Sequence, residues 1–193
     1  ASRMNLPNKL TLSRFIITGL LLIVFSGNWP GHNTLALVLF IIASITDYLD
    51  GAIARRRQII TNFGILMDPL ADKVLTSSAF ISFVGHGLMP AWMAAVIVAR
   101  ELAITGLRLL AAMQQKVLAA ERFGKHKTLS QIVAIIAILV QQSFPEWGSW
   151  ASWLFHAWLP YFAELSKWVT VSLTLTSGIL YLRRNCDLYQ KEC

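Results

Sequence analysis

Six apolar runs fill most of the chain, at about residues 12–26, 34–54, 69–88, 91–113, 128–143 and 153–182. A helix needs roughly 20 residues to cross about 30 Å of hydrocarbon. Backbone polar groups in lipid must be satisfied within their own segment, which leaves helices as the solution for runs this long. The pattern predicts an all-α membrane protein, a bundle of six transmembrane helices. The first run is short, and a short N-terminal interfacial helix at about residues 5–11 is expected to lead into it. Composition agrees. Only 14% of residues are charged and 55% are hydrophobic, whereas a soluble domain carries about 25% charged residues. One domain over residues 1–193 is expected, with no internal repeat and no low-complexity stretch.

The connections carry breaker residues: Asn28-Trp29-Pro30-Gly31, Gly85-His86-Gly87 and Ser143 to Gly148. The first, third and fifth connections contain no lysine or arginine. Arg3, Lys9, Arg14, Arg55, Arg56, Arg57, Lys116, Arg122, Lys125, Lys127, Arg183, Arg184 and Lys191 collect on the other side. The positive-inside rule puts that side, with both termini and the 55–67 and 114–127 loops, in the cytoplasm. Trp29, Trp92, Trp147, Trp150 and Trp153 then form an aromatic belt at the opposite interface. The net charge of +7 serves orientation and anionic ligands. No basic stripe interleaved with stacking aromatics appears, so nucleic acid is set aside. Cys186 and Cys193 read as incidental thiols of the polar tail. Met4 reads as a start residue, and the first run as a retained span, since no small-residue cleavage pattern follows it.

Four aspartates stand in or at the ends of apolar runs, where ionisable groups are costly and usually functional. Asp47 and Asp50 lie late in the second run, Asp68 and Asp72 at the start of the third. Asp68 and Asp72 are one helical turn apart. The short connection lets all four converge near the cytoplasmic surface. Converging carboxylates repel, and hard divalent cations relieve that repulsion through the oxygen ligands they prefer. Singly, Asp68 before Pro69 reads as a helix N-cap, and Asp72 as a partner for Lys73 or Arg55. Gly64 reads as a turn before the third span.

Together these residues form Asp47-x2-Asp50-Gly51-x2-Ala54-Arg55-x8-Gly64-x3-Asp68-x3-Asp72. This run resembles, without departure, the signature of the CDP-alcohol phosphotransferase family. Further likeness to the phosphatidylglycerophosphate synthases within it lies in Pro7-Asn8, Thr11 and Arg14, in Arg100-Glu101 with Arg108, and in Gly124-Lys125-His126-Lys127-Thr128. The likeness covers about residues 5–142; beyond them only hydropathy guides the reading. It implies two divalent cations, Mg²⁺ or Mn²⁺, held by Asp47, Asp50 and Asp68 with Asp72 contributing, and Asp72 as general base. It implies contacts to the CDP group from Asn8, Thr11, Asp50, Gly51, Arg55 and Gly64. It also implies a homodimer among membrane lipids in a bacterial inner membrane.

The acceptor is read from the fourth run. Glu101, Thr105 and Arg108 share a helical face, Arg100 lies beside it, and Lys125 and Lys127 stand in the following loop. That is more positive charge than Glu101 can neutralise. Arginine suits phosphate oxygens, so Arg100, Arg108, Lys125 and Lys127 read as an acceptor-phosphate pocket; the alternative is structural pairing. With the resemblance, the expected reaction transfers the phosphatidyl group of CDP-diacylglycerol to glycerol 3-phosphate and releases CMP. Serine, inositol phosphate and phosphatidylglycerol are the other acceptors the family offers. A divalent-cation transporter would use similar carboxylates, but these lie toward one face, and Arg55 among them would repel cations. Prenyl transfer uses aspartate-rich motifs of different spacing. Glu164 and Lys167, one turn apart, read as an interfacial ion pair.

Overall fold

The computed structural model describes the backbone of residues 6–57, 62–113 and 122–185, and side chains at 13–46, 73–111 and 126–185. Those residues are all helical apart from short turns. Six long helices are α1 (Leu6–Phe25), α2 (His32–Arg57), α3 (Asn62–Gly85), α4 (Ala91–Met113), α5 (Arg122–Ser143) and α7 (Leu159–Arg184). A 3₁₀ turn at Phe144–Trp147 and the short helix α6 (Ser149–Phe155) join α5 to α7. The long helices have 20 to 26 residues each, enough at 1.5 Å per residue to reach about 30 Å. By length and composition together, His126–Trp147 alone among the described residues passes as a membrane-crossing helix. Ser13–Phe25, His32–Thr46 and Lys73–Gly85 are shorter apolar helices.

Several boundaries differ from the sequence expectation. Residues 6–25 form one continuous helix, so no separate interfacial helix leads into the first span within them. The last apolar run is split, its start lying in α6 and the rest in α7. Helix α3 begins at Asn62, which puts Gly64 within a helix instead of a preceding turn and Asp68 in its interior instead of at an N-cap. Helix α5 begins at Arg122, so Lys125 and Lys127 stand in its first turns and not in a loop. In each case helix continues through polar residues that hydropathy reads as its end, because backbone hydrogen bonding does not need apolar side chains.

The breakers act where expected. After α3, the Gly87 amide bonds to the Val84 carbonyl (3.0 Å) and the Leu88 amide to the Phe83 carbonyl (2.9 Å). This is a Schellman stop, with Gly87 at φ 70°, a conformation that side chains disfavour. Gly148, at φ 93°, separates the 3₁₀ turn from α6.

The core is aromatic and aliphatic. Leu21 and Phe25 of α1, Phe40 of α2, Phe83 of α3, Ile97 of α4 and Ile138 of α5 are buried together. Helix α1 packs on α2 and α3, and α7 packs on α5 and α4. The outside is apolar as well: Ile23, Trp153, Tyr161 and Leu165 are among many large exposed hydrophobic residues. The buried face of α7 is conversely rich in small polar residues, with Ser166, Thr170, Thr174 and Ser177 inside. On α7, apolar side chains outward and small polar ones inward reverse the usual pattern of a helix in a water-soluble fold.

One clamp fixes the end of the bundle that carries the α5–α7 connection. The Glu146 carboxylate accepts from the Asn33 amide (3.1 Å), Asn33 Nδ2 (3.0 Å), the Thr34 amide (2.9 Å) and the Thr34 hydroxyl. The first turn of α2 has amides without intrahelical partners, and the positive end of its dipole favours an anion there. Trp147 Nε1 donates to the Thr34 hydroxyl at 2.9 Å. Lys167 adds a second tie, donating to the Leu88 carbonyl at 3.0 Å while pairing with Glu164. Glu146→Ala is expected to lower unfolding stability by about 2 kcal/mol, measured by thermal unfolding in detergent; an unchanged transition would contradict the clamp.

Candidate active site

The signature residues lie on two consecutive helices. Asp47, Asp50, Gly51 and Arg55 stand on about the last three turns of α2, and Gly64, Asp68 and Asp72 on the first half of α3. Residues 58–61 join the two helices, and both helices pack on α1 and α5. Asn8 and Thr11 lie in the first turns of α1. The side chains of all these residues, and of Lys125, lie outside the described residues.

Side-chain geometry begins one residue past the signature, at Lys73. Its ammonium sits 3.0 Å from Oε2 of Glu101 on α4. The other oxygen of Glu101 accepts from Lys127 of α5 and from Arg100 Nη1 at 3.2 Å. Gln131, one turn beyond Lys127, reaches it at 3.4 Å. Glu101 and Lys127 are each 1% exposed. Three helices thus deliver three cations to one buried carboxylate.

Among the described residues, Lys73, Arg100 and Lys127 gather three cations on the one carboxylate of Glu101. Burying ions is tolerable only where counter-charges and hydrogen bonds compensate their lost hydration. A phosphate with several oxygens suits guanidinium and ammonium donors.

Arg108 takes a different place. It is exposed, and its guanidinium lies over the ring of Tyr181 on α7, 5.7 Å from the centroid, a cation–π contact. So the structure brings Arg100 and Lys127 together and adds Lys73, while Arg108 stands against α7. Sequence reading missed Lys73 because it follows Asp72 and passes for its ion-pair partner. The missed signal is position: successive side chains turn about 100° around a helix, and Lys73 reaches Glu101 on α4.

Helix α7 closes the site on the other side. Arg100 Nη2 donates to Ser177 Oγ at 3.2 Å. Gly178 makes room for that arginine, since a Cβ there would stand 3.1 Å from Arg100 Cγ.

The family described as CDP-alcohol phosphatidyltransferase matches residues 4–159. The chain belongs to the CDP-alcohol phosphatidyltransferase family. The match takes in the aspartate signature, the basic cluster and every long helix except α7. A Bacillus subtilis protein named CDP-diacylglycerol–glycerol-3-phosphate 3-phosphatidyltransferase is 41% identical, covering 95% of this chain and 96% of its own. A Rickettsia typhi protein of the same name is 31% identical over 96% of this chain and 98% of its own. A Mycobacterium tuberculosis protein named probable phosphatidylglycerophosphate synthase is 41% identical over 73% of this chain and 68% of its own.

Glu101→Gln removes the cluster's counter-charge and leaves three cations facing one another. It is expected to cost about 3 kcal/mol of stability, read as a lower unfolding temperature in detergent. A neutral outcome would show that Glu101 does not hold the cluster.

Proposed function

We propose that the chain transfers the phosphatidyl group of CDP-diacylglycerol to glycerol 3-phosphate, giving phosphatidylglycerol phosphate and CMP. The observation that carries this reading is the cluster of Lys73, Arg100 and Lys127 around Glu101, on the three helices α3, α4 and α5. An acceptor bearing a phosphate offers that cluster several anionic oxygens, which a neutral alcohol does not. The names of the full-length relatives support the same choice.

The apolar exterior and the helix lengths support a single membrane domain of six spans, α1 to α5 and α7. Both termini and the basic cluster then face the cytoplasm, following the lysine and arginine asymmetry. The reacting groups lie where the water-soluble acceptor can reach a lipid-borne donor.

Asp47, Asp50, Asp68 and Asp72 are an all-oxygen donor set of the kind that suits Mg²⁺ or Mn²⁺. Their distribution over two consecutive helices fits that use. When bound, the ions neutralise charge on the pyrophosphate and on the departing CMP. Gly51 and Gly64 offer close approach to the nucleotide, and Asn8, Thr11, Asp50 and Arg55 bind it. Arg100, Lys127 and Lys73, with Arg108 and Lys125, hold the acceptor phosphate and so orient its free hydroxyl. Asp72 takes the proton from that hydroxyl. The hydroxyl oxygen forms a bond to the phosphorus carrying diacylglycerol, the bond from that phosphorus to the CMP oxygen breaks, and CMP leaves with the electron pair.

The test is CMP release by purified protein with CDP-diacylglycerol and Mg²⁺, with glycerol 3-phosphate, serine, inositol phosphate or phosphatidylglycerol supplied separately. Release with glycerol 3-phosphate alone is expected; release only with another acceptor would overturn the assignment. Asp72→Asn is expected to lower the rate by about a thousandfold with unfolding temperature unchanged. A near-normal rate would remove Asp72 from the base role. Chelation of divalent ions is expected to abolish release, and added Mg²⁺ to restore it.

A further inference from the structure

Two buried hydroxyls of helix α7 have no partner among the described residues. Other helical threonine and serine hydroxyls bond to their own helix: Thr18 to the Arg14 carbonyl (2.8 Å), Ser44 to Phe40 (2.9 Å) and, on α7 itself, Thr176 to Ser172 (2.8 Å). This is the usual resting place for such a group. Thr174, two residues from Thr176, departs from it. Its side chain is wholly buried and its Oγ1 has no partner among the described residues. One turn and two turns further along the same face, Ser177 receives Arg100, and Tyr181 is 1% exposed with its hydroxyl also unpartnered. Arg100 Nε is a third buried polar atom in that state.

These three groups belong to one region. Thr170 donates to the Ser130 carbonyl at 2.9 Å. Lys127, one turn before Ser130, meets Glu101, whose neighbour Arg100 reaches Ser177. Helices α5 and α7 therefore run antiparallel, and Thr174 falls at the level of the cation cluster. Tyr181 lies two turns beyond Thr174, under Arg108. A buried polar atom without a partner costs stability, so two such hydroxyls and one guanidinium N–H along one seam, beside the Glu101 cluster, point to a ligand that hydrogen-bonds there.

We propose that Thr174 and Tyr181 form the α7 wall of the acceptor subsite, hydrogen-bonding the oxygens of a hydroxyl-bearing phosphate ester, while Ser177 and Gly178 position Arg100 toward it. The proposal rests on the acceptor reading given above and extends it to a helix the sequence motifs do not reach. The family match ends at residue 159, where α7 begins. The wall thus lies outside the matched residues and on a different helix from the aspartate signature.

Tyr181→Phe and Thr174→Val in the full chain test it, each removing a hydroxyl with little change of shape. Steady-state CMP release is measured while glycerol 3-phosphate and CDP-diacylglycerol are varied in turn, and unfolding is followed without substrate. Each variant is expected to raise KM for glycerol 3-phosphate about tenfold. KM for CDP-diacylglycerol should stay within about twofold. The unfolding temperature should hold or rise, since an unsatisfied buried hydroxyl has gone. Thr176→Ala, on the exposed side of α7, should change neither constant. An unchanged KM for glycerol 3-phosphate in both variants, or both constants rising together, would overturn the proposal. Wild-type protein that releases CMP only with another hydroxylated acceptor would refute the acceptor reading instead; the same variants then measure the wall against that acceptor, with the same two outcomes deciding.

Discussion

Glu101 sits where α3, α4 and α5 meet, with Lys73, Arg100 and Lys127 on its two oxygens. Each cation comes from a different helix or a different position on one, so the carboxylate fixes the relative depth of all three. It also sets the electrostatics of the cluster: the carboxylate makes three neighbouring cations tolerable, and on the proposed reading a phosphate placed beside them gains from those charges.

The arrangement of polar and apolar surface follows from that centre. Large apolar side chains such as Ile23, Leu165 and Ile179 point outward. Small polar ones, Thr170, Thr174 and Ser177, line the inner face of α7. Helix backbones can approach closely where side chains are small, and Gly178 against Arg100 is the tightest instance on this seam. At the other end, the Glu146 clamp on α2 and the Lys167 tie to the α3 terminus hold the connections. A bundle pinned there leaves its basic end to carry chemistry.

Much of this was legible in the chain. Six apolar runs correspond to six long helices, and the eight fixed positions from Asp47 to Asp72 carry the family. Arg100 and Lys127 were singled out from a local charge surplus, and the fold does bring them together. Three things were not legible, each for a physical reason. Hydropathy marks where a helix turns polar, not where its backbone bonding stops, so Gly64, Asp68, Lys125 and Lys127 were placed outside helices that contain them. Lys73 was hidden by its neighbour, because sequence adjacency says little about which way successive helical side chains point. Glu146 and Tyr181 act through contacts distant in sequence: Glu146 reaches back 113 positions to Asn33, and Tyr181 lies under Arg108. No local pattern encodes such pairings.

The central claim is that the cation cluster around Glu101 recognises a phosphate on the acceptor. The most direct measurement compares glycerol 3-phosphate with glycerol as acceptor, as kcat/KM for CMP release by the same purified protein. The account predicts a preference for glycerol 3-phosphate of at least about a thousandfold, since glycerol offers these cations no phosphate oxygen. Comparable values for the two acceptors would contradict it.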